Sequence, residues 1–320
     1  MEEDKKEEEK KEEEEKEEED RSRVWKKFTQ KELEHQYSPS RWSRRHVDEE
    51  VISRHVEEAR WRSEEARRTV PCRLDEQYAP GGPRALADVY GEDLPRGAPL
   101  LVYVHGGYWQ ELEKSVSAYL VPPLYSTGVV VVVVGYDLAP QVGVADIVGE
   151  VRAAVVWACE LARGRGSVGV VLAGWSAGGH LVTQVLSEEE KEAQDQEQDQ
   201  SRTKQANTSL TPYRELIKGV VTLSGVFDLR PLVHTYVNDP LKLTKDSAWK
   251  LSPLRCVGTL AGRQSKEYCE ACSNNGLMSH FVLVDGADHF SLVCDLFLDQ
   301  YSLTSRLLTF IDTCCGRRKD

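Results

Sequence analysis

The chain has 320 residues, carries 41 Lys and Arg against 53 Asp and Glu for a formal charge of −12, and is 40% hydrophobic. That apolar content sustains a sizeable core in one large domain or two small ones, while the acidic balance excludes a general nucleic-acid binder, which needs Lys and Arg to neutralise phosphates. No segment approaches the roughly 20 consecutive apolar residues that cross a bilayer, so no membrane-spanning helix is expected.

Residues 1–20 hold 14 acids and five lysines, and so carry most of the negative charge. With no apolar residue after Met1, this stretch has nothing to bury against its chain entropy, and 1–22 reads as a disordered acidic tail. It lacks the basic and apolar regions of a signal peptide. Together with eight scattered cysteines, including the single CxxC of Cys269 and Cys272, this predicts reduced thiols, no metal, and a cytoplasmic location with the nucleus also open. Residues 23–315 read as one α/β domain and 316–320 as a short tail.

Residues 47–70 alternate acids and bases around Val51, Ile52, Val56, Ala59 and Trp61, which predicts a charged surface helix. From about Leu100, short β-branched runs alternate with helical stretches, the pattern of a mainly parallel sheet with helices on both faces. The predicted strands are 100–104, 129–134, 168–172, 219–223 and 281–284, each nearly continuous in apolar character. A crossover helix is predicted over 146–163, where Ile147, Val151, Ala154, Val155, Ala158 and Leu161 recur at helical spacing. Residues 188–209 are acidic and rich in Gln, Ser and Thr, and read as a polar surface insertion following a helix.

The strongest local signal is Gly174-Trp175-Ser176-Ala177-Gly178, a G-x-S-x-G between a predicted strand and the apolar helix 177–186. A reversal this tight strains the central residue, and small neighbours let it close with the serine hydroxyl projecting from the sheet edge. The helix N-terminus then offers backbone N–H groups to a developing oxyanion. Upstream, strand 100–104 ends in His105-Gly106-Gly107-Tyr108-Trp109. Two adjacent glycines after a strand let amides approach a carbonyl oxygen closely, as in HGGG-type esterase loops. The oxyanion donors are expected to be the N–H groups of Gly106, Gly107 and Ala177.

A base for Ser176 should follow it in the chain, after the last strand. His35, His46 and His55 lie in the charged N-terminal third, His105 belongs to the oxyanion loop, and His180 sits one turn along the elbow helix, where it positions that helix. His280 begins the predicted final strand. His289, in the loop after that strand, is the expected base.

Taken together, these residues resemble the kynurenine formamidase (arylformamidase) family of the α/β-hydrolase fold, related to hormone-sensitive-lipase-like esterases. The resemblance covers most of 31–310. It rests on Glu34-His35-Gln36-Tyr37-Ser38-Pro39-Ser40-Arg41-Trp42, His105-Gly106-Gly107-Tyr108-Trp109-Gln110, Tyr136-Asp137-Leu138-Ala139-Pro140, Ser224-Gly225-Val226-Phe227-Asp228-Leu229 and Asp288-His289-Phe290. It implies hydrolysis of a small-molecule substrate, N-formyl-L-kynurenine, with no cofactor, and suggests a homodimer. Ser176 carries over as nucleophile and His289 as base. Tyr108 and Trp109 are expected to supply part of the pocket's aromatic lining, although a Trp in such a loop is as often packing as ligand contact.

One part of the pattern is missing. The triad acid should end the penultimate strand, but 254–262 contains no carboxylate and is too short for strand plus loop, so that strand reads as truncated or missing. Asp246, Glu267, Asp285 and Asp288 are candidate replacements, with Asp228 more remote. A stunted strand over 256–260 is one expected substitute. Two alternatives to the formamidase reading follow: a catalytically inert scaffold that binds a partner through its acidic segments, and a broader carboxylesterase, since Trp175 is a bulky residue beside the nucleophile.

Overall fold

Five consecutive valines give Val130–Val134 no polar face at all, and every one of them is buried. Such runs of β-branched residues suit a strand covered on both sides by helices. The computed structural model describes residues 24–43, 45, 47–79, 82–198, 209–257 and 264–317, so the acidic tail, the end of the expected insertion and 258–263 lie outside it. The chain divides into two units, one of Pro39–Gly225 with Val284–Asp320 and one of Met1–Ser38 with Val226–Leu283.

The larger unit is built on a six-stranded sheet: β1 Cys72–Gln77, β2 Leu86–Tyr90, β3 Leu100–Val104, β4 Val130–Val134, β5 Val170–Trp175 and β6 Ile217–Leu223, in the order β1-β2-β4-β3-β5-β6. The four strands β4, β3, β5 and β6 run parallel, and β1 and β2 add antiparallel to the β4 side. Strands β1 and β2 were not expected from the sequence. The first is a partly exposed polar edge strand, Cys-Arg-Leu-Asp-Glu-Gln, whose register breaks between Arg73 and Glu76 around Asp75 at φ +59°. Polar residues and a bulge of this kind blunt a sheet edge against further pairing.

Alternation along the strands divides the core between two faces. Leu101, Tyr103, Val131, Val133, Val171, Ala173 and Trp175 share one cluster with the helix Asp48–Thr69 and the C-terminal helix Ser302–Cys314. The helices Val144–Arg165 and Ala177–Gln198 also pack on the strands. Helix Asp48–Thr69 buries a stripe of Val51, His55, Ala59, Ser63 and Ala66 at spacings of three and four, while Ile52 and Trp61 stay exposed. It is therefore amphipathic, as its charge pattern implies, but its buried stripe includes a histidine. Helix Ala177–Gln198 continues well past 186, so the first half of the expected insertion is a continuation of that helix.

The final expected strand is not formed. Residues 281–284 are irregular, with Phe281 and Val282 each 41% exposed and Leu283 67% exposed. His280 correspondingly starts no strand. An extended apolar run needs a ladder partner for its N–H and C=O groups, and among the described residues no strand lies between β6 and this run: Leu254–Val257 is a helical turn, which also removes the start of the substitute expected over 256–260. Among the described residues β6 pairs with β5 alone, and its residues are mostly half-buried where those of β3, β4 and β5 are buried.

Within the smaller unit, Gln264 organises the segment 226–229. Its side-chain oxygen accepts from the N–H groups of Phe227 (2.6 Å) and Asp228 (3.1 Å), and its amide nitrogen donates to the Tyr37 hydroxyl (2.8 Å). Phe227 stacks on Tyr268 at 4.3 Å. Thr29 and Glu32 form a reciprocal cap on helix Gln30–Gln36.

Candidate active site

Ser176 stands between β5 and the helix Ala177–Gln198 with φ +54°, a left-handed conformation that an L-residue keeps only when its surroundings enforce it. The flanking glycines supply the enforcement. A Cβ at Gly174 would lie 2.2 Å from the Gly178 carbonyl oxygen, and one at Gly178 would lie 2.1 Å from that of Val104. The turn is further held by the Ser176 N–H, which donates to Leu223 O at the end of β6 (2.9 Å). The serine hydroxyl makes no hydrogen bond among the described residues, and the residue is 4% exposed.

The loop after β3 holds three consecutive residues at positive φ, +104° at Gly107, where a glycine takes it freely, and +49° and +62° at Tyr108 and Trp109, where it is strained. Its scaffold accounts for two of the sequence motifs. Tyr136 donates its hydroxyl to His105 O (3.0 Å) and stacks on the His105 ring at 4.2 Å, and Ala139 N–H donates to Trp109 O (2.8 Å). Trp109 Nε1 donates to His180 Nδ1 (3.1 Å) on the elbow helix. Trp109 is fully buried, and through it His180 ties the loop after β3 to the elbow helix.

Gly106 and Ser176 are in close approach: a Cβ at Gly106 would lie 3.1 Å from the Ser176 Cβ and 3.0 Å from the Trp175 carbonyl oxygen. The N–H groups of Gly106 and Gly107 donate to no carbonyl among the described residues, and Ala177 opens a helix, where the first N–H groups have no intrahelical acceptor. The Gly106 backbone thus lies beside Ser176, and the Ala177 N–H adjoins the serine in the chain.

The loop that carries His289 meets the elbow through Trp175, whose indole Nε1 donates to the His289 carbonyl oxygen (3.1 Å). The rings of Trp175 and His289 lie 5.2 Å apart, and Trp42 approaches His289 edge-on at 6.1 Å. The Ser176 hydroxyl and the His289 ring are not hydrogen-bonded in this state. In unliganded hydrolases such bonds are often long and tighten only with substrate. Burial, with a smaller contribution from His55, pushes the His289 pKa down to about 4, against the opposing pull of Asp288. The ring is neutral at pH 7 and so able to accept a proton.

A family model for the alpha/beta hydrolase fold matches residues 101–290. Kynurenine formamidase of Danio rerio is 37% identical over 90% of this chain and 98% of its own length, and that of Salmo salar 35% identical over 89% and 97%. This chain belongs to the kynurenine formamidase family. Among solved structures, an inhibited esterase B of Lactobacillus rhamnosis superposes with a TM-score of 0.64 at 18% identity, over 83% of this chain and 94% of its own. A thermophilic carboxylesterase cloned from a metagenomic library gives 0.60 at 18% identity, over 85% and 98%. Both likenesses bear on the fold, which is that of the α/β hydrolases.

Within this family member, the carboxylates considered for a triad are engaged elsewhere or exposed. Asp288 is buried and caps the turn after it: Oδ1 accepts from Phe290 N–H (3.1 Å) and Ser291 N–H (2.8 Å), and Oδ2 accepts from the Ser43 hydroxyl (2.8 Å). Asp228 is forked to Arg230, Asp246 pairs with Lys250 at the surface, and Asp285 is exposed. Glu267 is buried in the helix Gln264–Asn274. Among the described residues no hydrogen bond joins any carboxylate to the His289 ring. No group of three metal-ligating side chains is found among the described residues, and no described helix is long and apolar enough to cross a membrane.

Sequence reasoning passed over His55. It packs on Trp175 at 5.0 Å and on Phe290 at 5.3 Å, and its Nδ1 lies 3.0 Å from Cys294 Sγ. The signal was present, since His55 sits midway between Val51 and Ala59 on one helical stripe. Burial pushes His55, His105 and His289 each down to about 4. A histidine held neutral in the fold takes up its proton more readily once unfolded, so stability present above the unfolded pKa near 6.5 is lost as pH falls toward 4. Urea midpoints at pH 7, 6 and 5 are expected to fall, with a linkage of up to about three protons, and less steeply in His55→Phe.

Proposed function

We propose that this chain hydrolyses N-formyl-L-kynurenine to L-kynurenine and formate. The approach of the Gly106 backbone to Ser176 carries the reading, because it brings a loop whose glycine amides have no backbone acceptor among the described residues up to a hydroxyl that the elbow holds in a strained turn. The relatives named kynurenine formamidase, matched over nearly their whole length, supply the substrate class.

In this mechanism Ser176 Oγ attacks the formyl carbon while His289 takes its proton. The N–H groups of Gly106, Gly107 and Ala177 stabilise the tetrahedral oxyanion. The imidazolium then protonates the departing aryl amine, leaving a formyl ester on Ser176. Water, deprotonated by the same imidazole, attacks that ester, and formate leaves as the serine is reprotonated. An aryl amine leaves more readily than an alkyl amine, which lowers the demand on the acid–base apparatus. With no carboxylate bonded to the His289 ring among the described residues, turnover is expected to be slow: in a serine protease, losing the orienting acid costs about 10⁴ in kcat.

Two assays test the reading. Purified protein is given N-formylkynurenine and, separately, a short p-nitrophenyl ester; kynurenine release supports the proposal, whereas ester hydrolysis alone would replace it with a carboxylesterase. The pH dependence of kcat/KM tests the role of His289. Because the neutral ring is the base and its pKa lies near 4, the rate should stay flat from pH 8 to about 5 and fall only below that. A fall beginning near 6.5 would mean that an ordinary, solvated histidine is the base.

A further inference from the structure

Trp175 touches each moving part of the site without being one of the reacting groups. Its indole N–H donates to the His289 carbonyl oxygen at 3.1 Å, and its ring lies 5.2 Å from the imidazole, tilted by 39°. Its Cε3 edge would be 2.8 Å from a Cβ on Gly106, so the ring also backs the oxyanion loop. Behind it, His55 and Phe290 pack on the indole at 5.0 and 6.1 Å, and Trp175 itself is 3% exposed. A fused ring held on several sides has little rotameric freedom.

We propose that Trp175 is a positioning residue for the base: its N–H fixes the backbone of the His289 loop against the nucleophile elbow, and its ring face restrains and stabilises the imidazole. The inference rests on the hydrolase reading of Ser176 and His289, and deepens it. In a serine hydrolase a carboxylate ordinarily holds the imidazole in place and offsets the positive charge it acquires. No carboxylate is bonded to this ring among the described residues. An aromatic face within about 6 Å attracts a cation through its quadrupole, so the imidazolium formed during acyl transfer gains from Trp175 part of what a carboxylate would give. The N–H anchor acts at the other end of the same residue, setting where the imidazole starts from.

The test separates the two contributions and does not depend on the substrate. The second-order rate of fluorophosphonate labelling reads activation of Ser176 by its base whatever the leaving group, and is measured with kcat and KM for N-formylkynurenine. Trp175→Phe keeps a ring face and loses the N–H; Trp175→Leu loses both. Labelling and kcat are expected to fall about tenfold in Trp175→Phe, the worth of one buried hydrogen bond, and about a hundredfold in Trp175→Leu. KM should stay within about twofold in both. Thermal unfolding is recorded alongside, and Trp175→Phe, which preserves most of the packing, serves if the leucine variant does not fold. Wild-type labelling rates in folded Trp175→Phe would overturn the anchoring role, and a loss confined to KM would overturn positioning in favour of substrate contact. If the wild-type chain labels at Ser176 but releases no kynurenine, the proposed substrate falls while the labelling rates still decide the role of Trp175.

Discussion

Replacing Ser176 by alanine is expected to abolish kynurenine release and fluorophosphonate labelling while leaving the fold intact. The expected loss is at least about 10³-fold, and in a serine protease removing the nucleophile alone costs about 2 × 10⁶ in kcat. Alanine removes only the hydroxyl, which has no hydrogen-bond partner among the described residues, so no buried group is left stranded by its loss. The strained φ of +54° remains, and a melting temperature within a few degrees of wild type should accompany the loss. Activity in Ser176→Ala would transfer the chemistry to another group and sink the proposed mechanism. His289→Ala should behave similarly, because the same imidazole serves both proton transfers.

The second large effect concerns the turn itself. Gly178→Ala would place a methyl 2.1 Å from Val104 O and 2.6 Å from His105 O, both backbone atoms that cannot swing aside. Either the elbow helix or the start of the oxyanion loop must shift, at an expected cost of about 3 kcal/mol or more, together with loss of labelling. Gly149→Ala is the contrasting control. It lies on the exposed side of helix Val144–Arg165 with nothing within 4 Å of its new methyl. There alanine should stabilise by about 0.5–1 kcal/mol without touching activity. Urea denaturation of the two variants measures the contrast; equal and small effects would mean that the elbow does not need its glycine.

The element lost in going from sequence to structure is instructive. Residues 281–284 have the composition of a buried strand, yet they are irregular and substantially exposed. Composition reports that a segment suits a strand, but a strand exists only where another offers it a ladder. The converse holds at β1 and β2, where Asp75, Glu76 and Asp88 interrupt the apolar pattern of residues that nonetheless pair as strands. Asp88 is buried because Lys114 Nζ reaches it at 2.5 Å and the Asp75 N–H donates to it at 3.0 Å. That satisfaction is assembled from positions far apart in the chain.

The sequence by itself determined the four parallel strands, the serine elbow with its flanking glycines, the two-glycine loop before it and the family. All are local patterns, in which side-chain period or the absence of a Cβ dictates the backbone within a few residues. Only the tertiary structure decided what surrounds the base. That Trp175 holds the His289 carbonyl, that His55 packs behind Trp175, and that Asp288 spends its carboxylate on a turn cap are contacts made when segments distant in the chain are packed together. Period and composition carry no term for such pairings, because the partner's position is fixed by the sheet and the helices that bring it there.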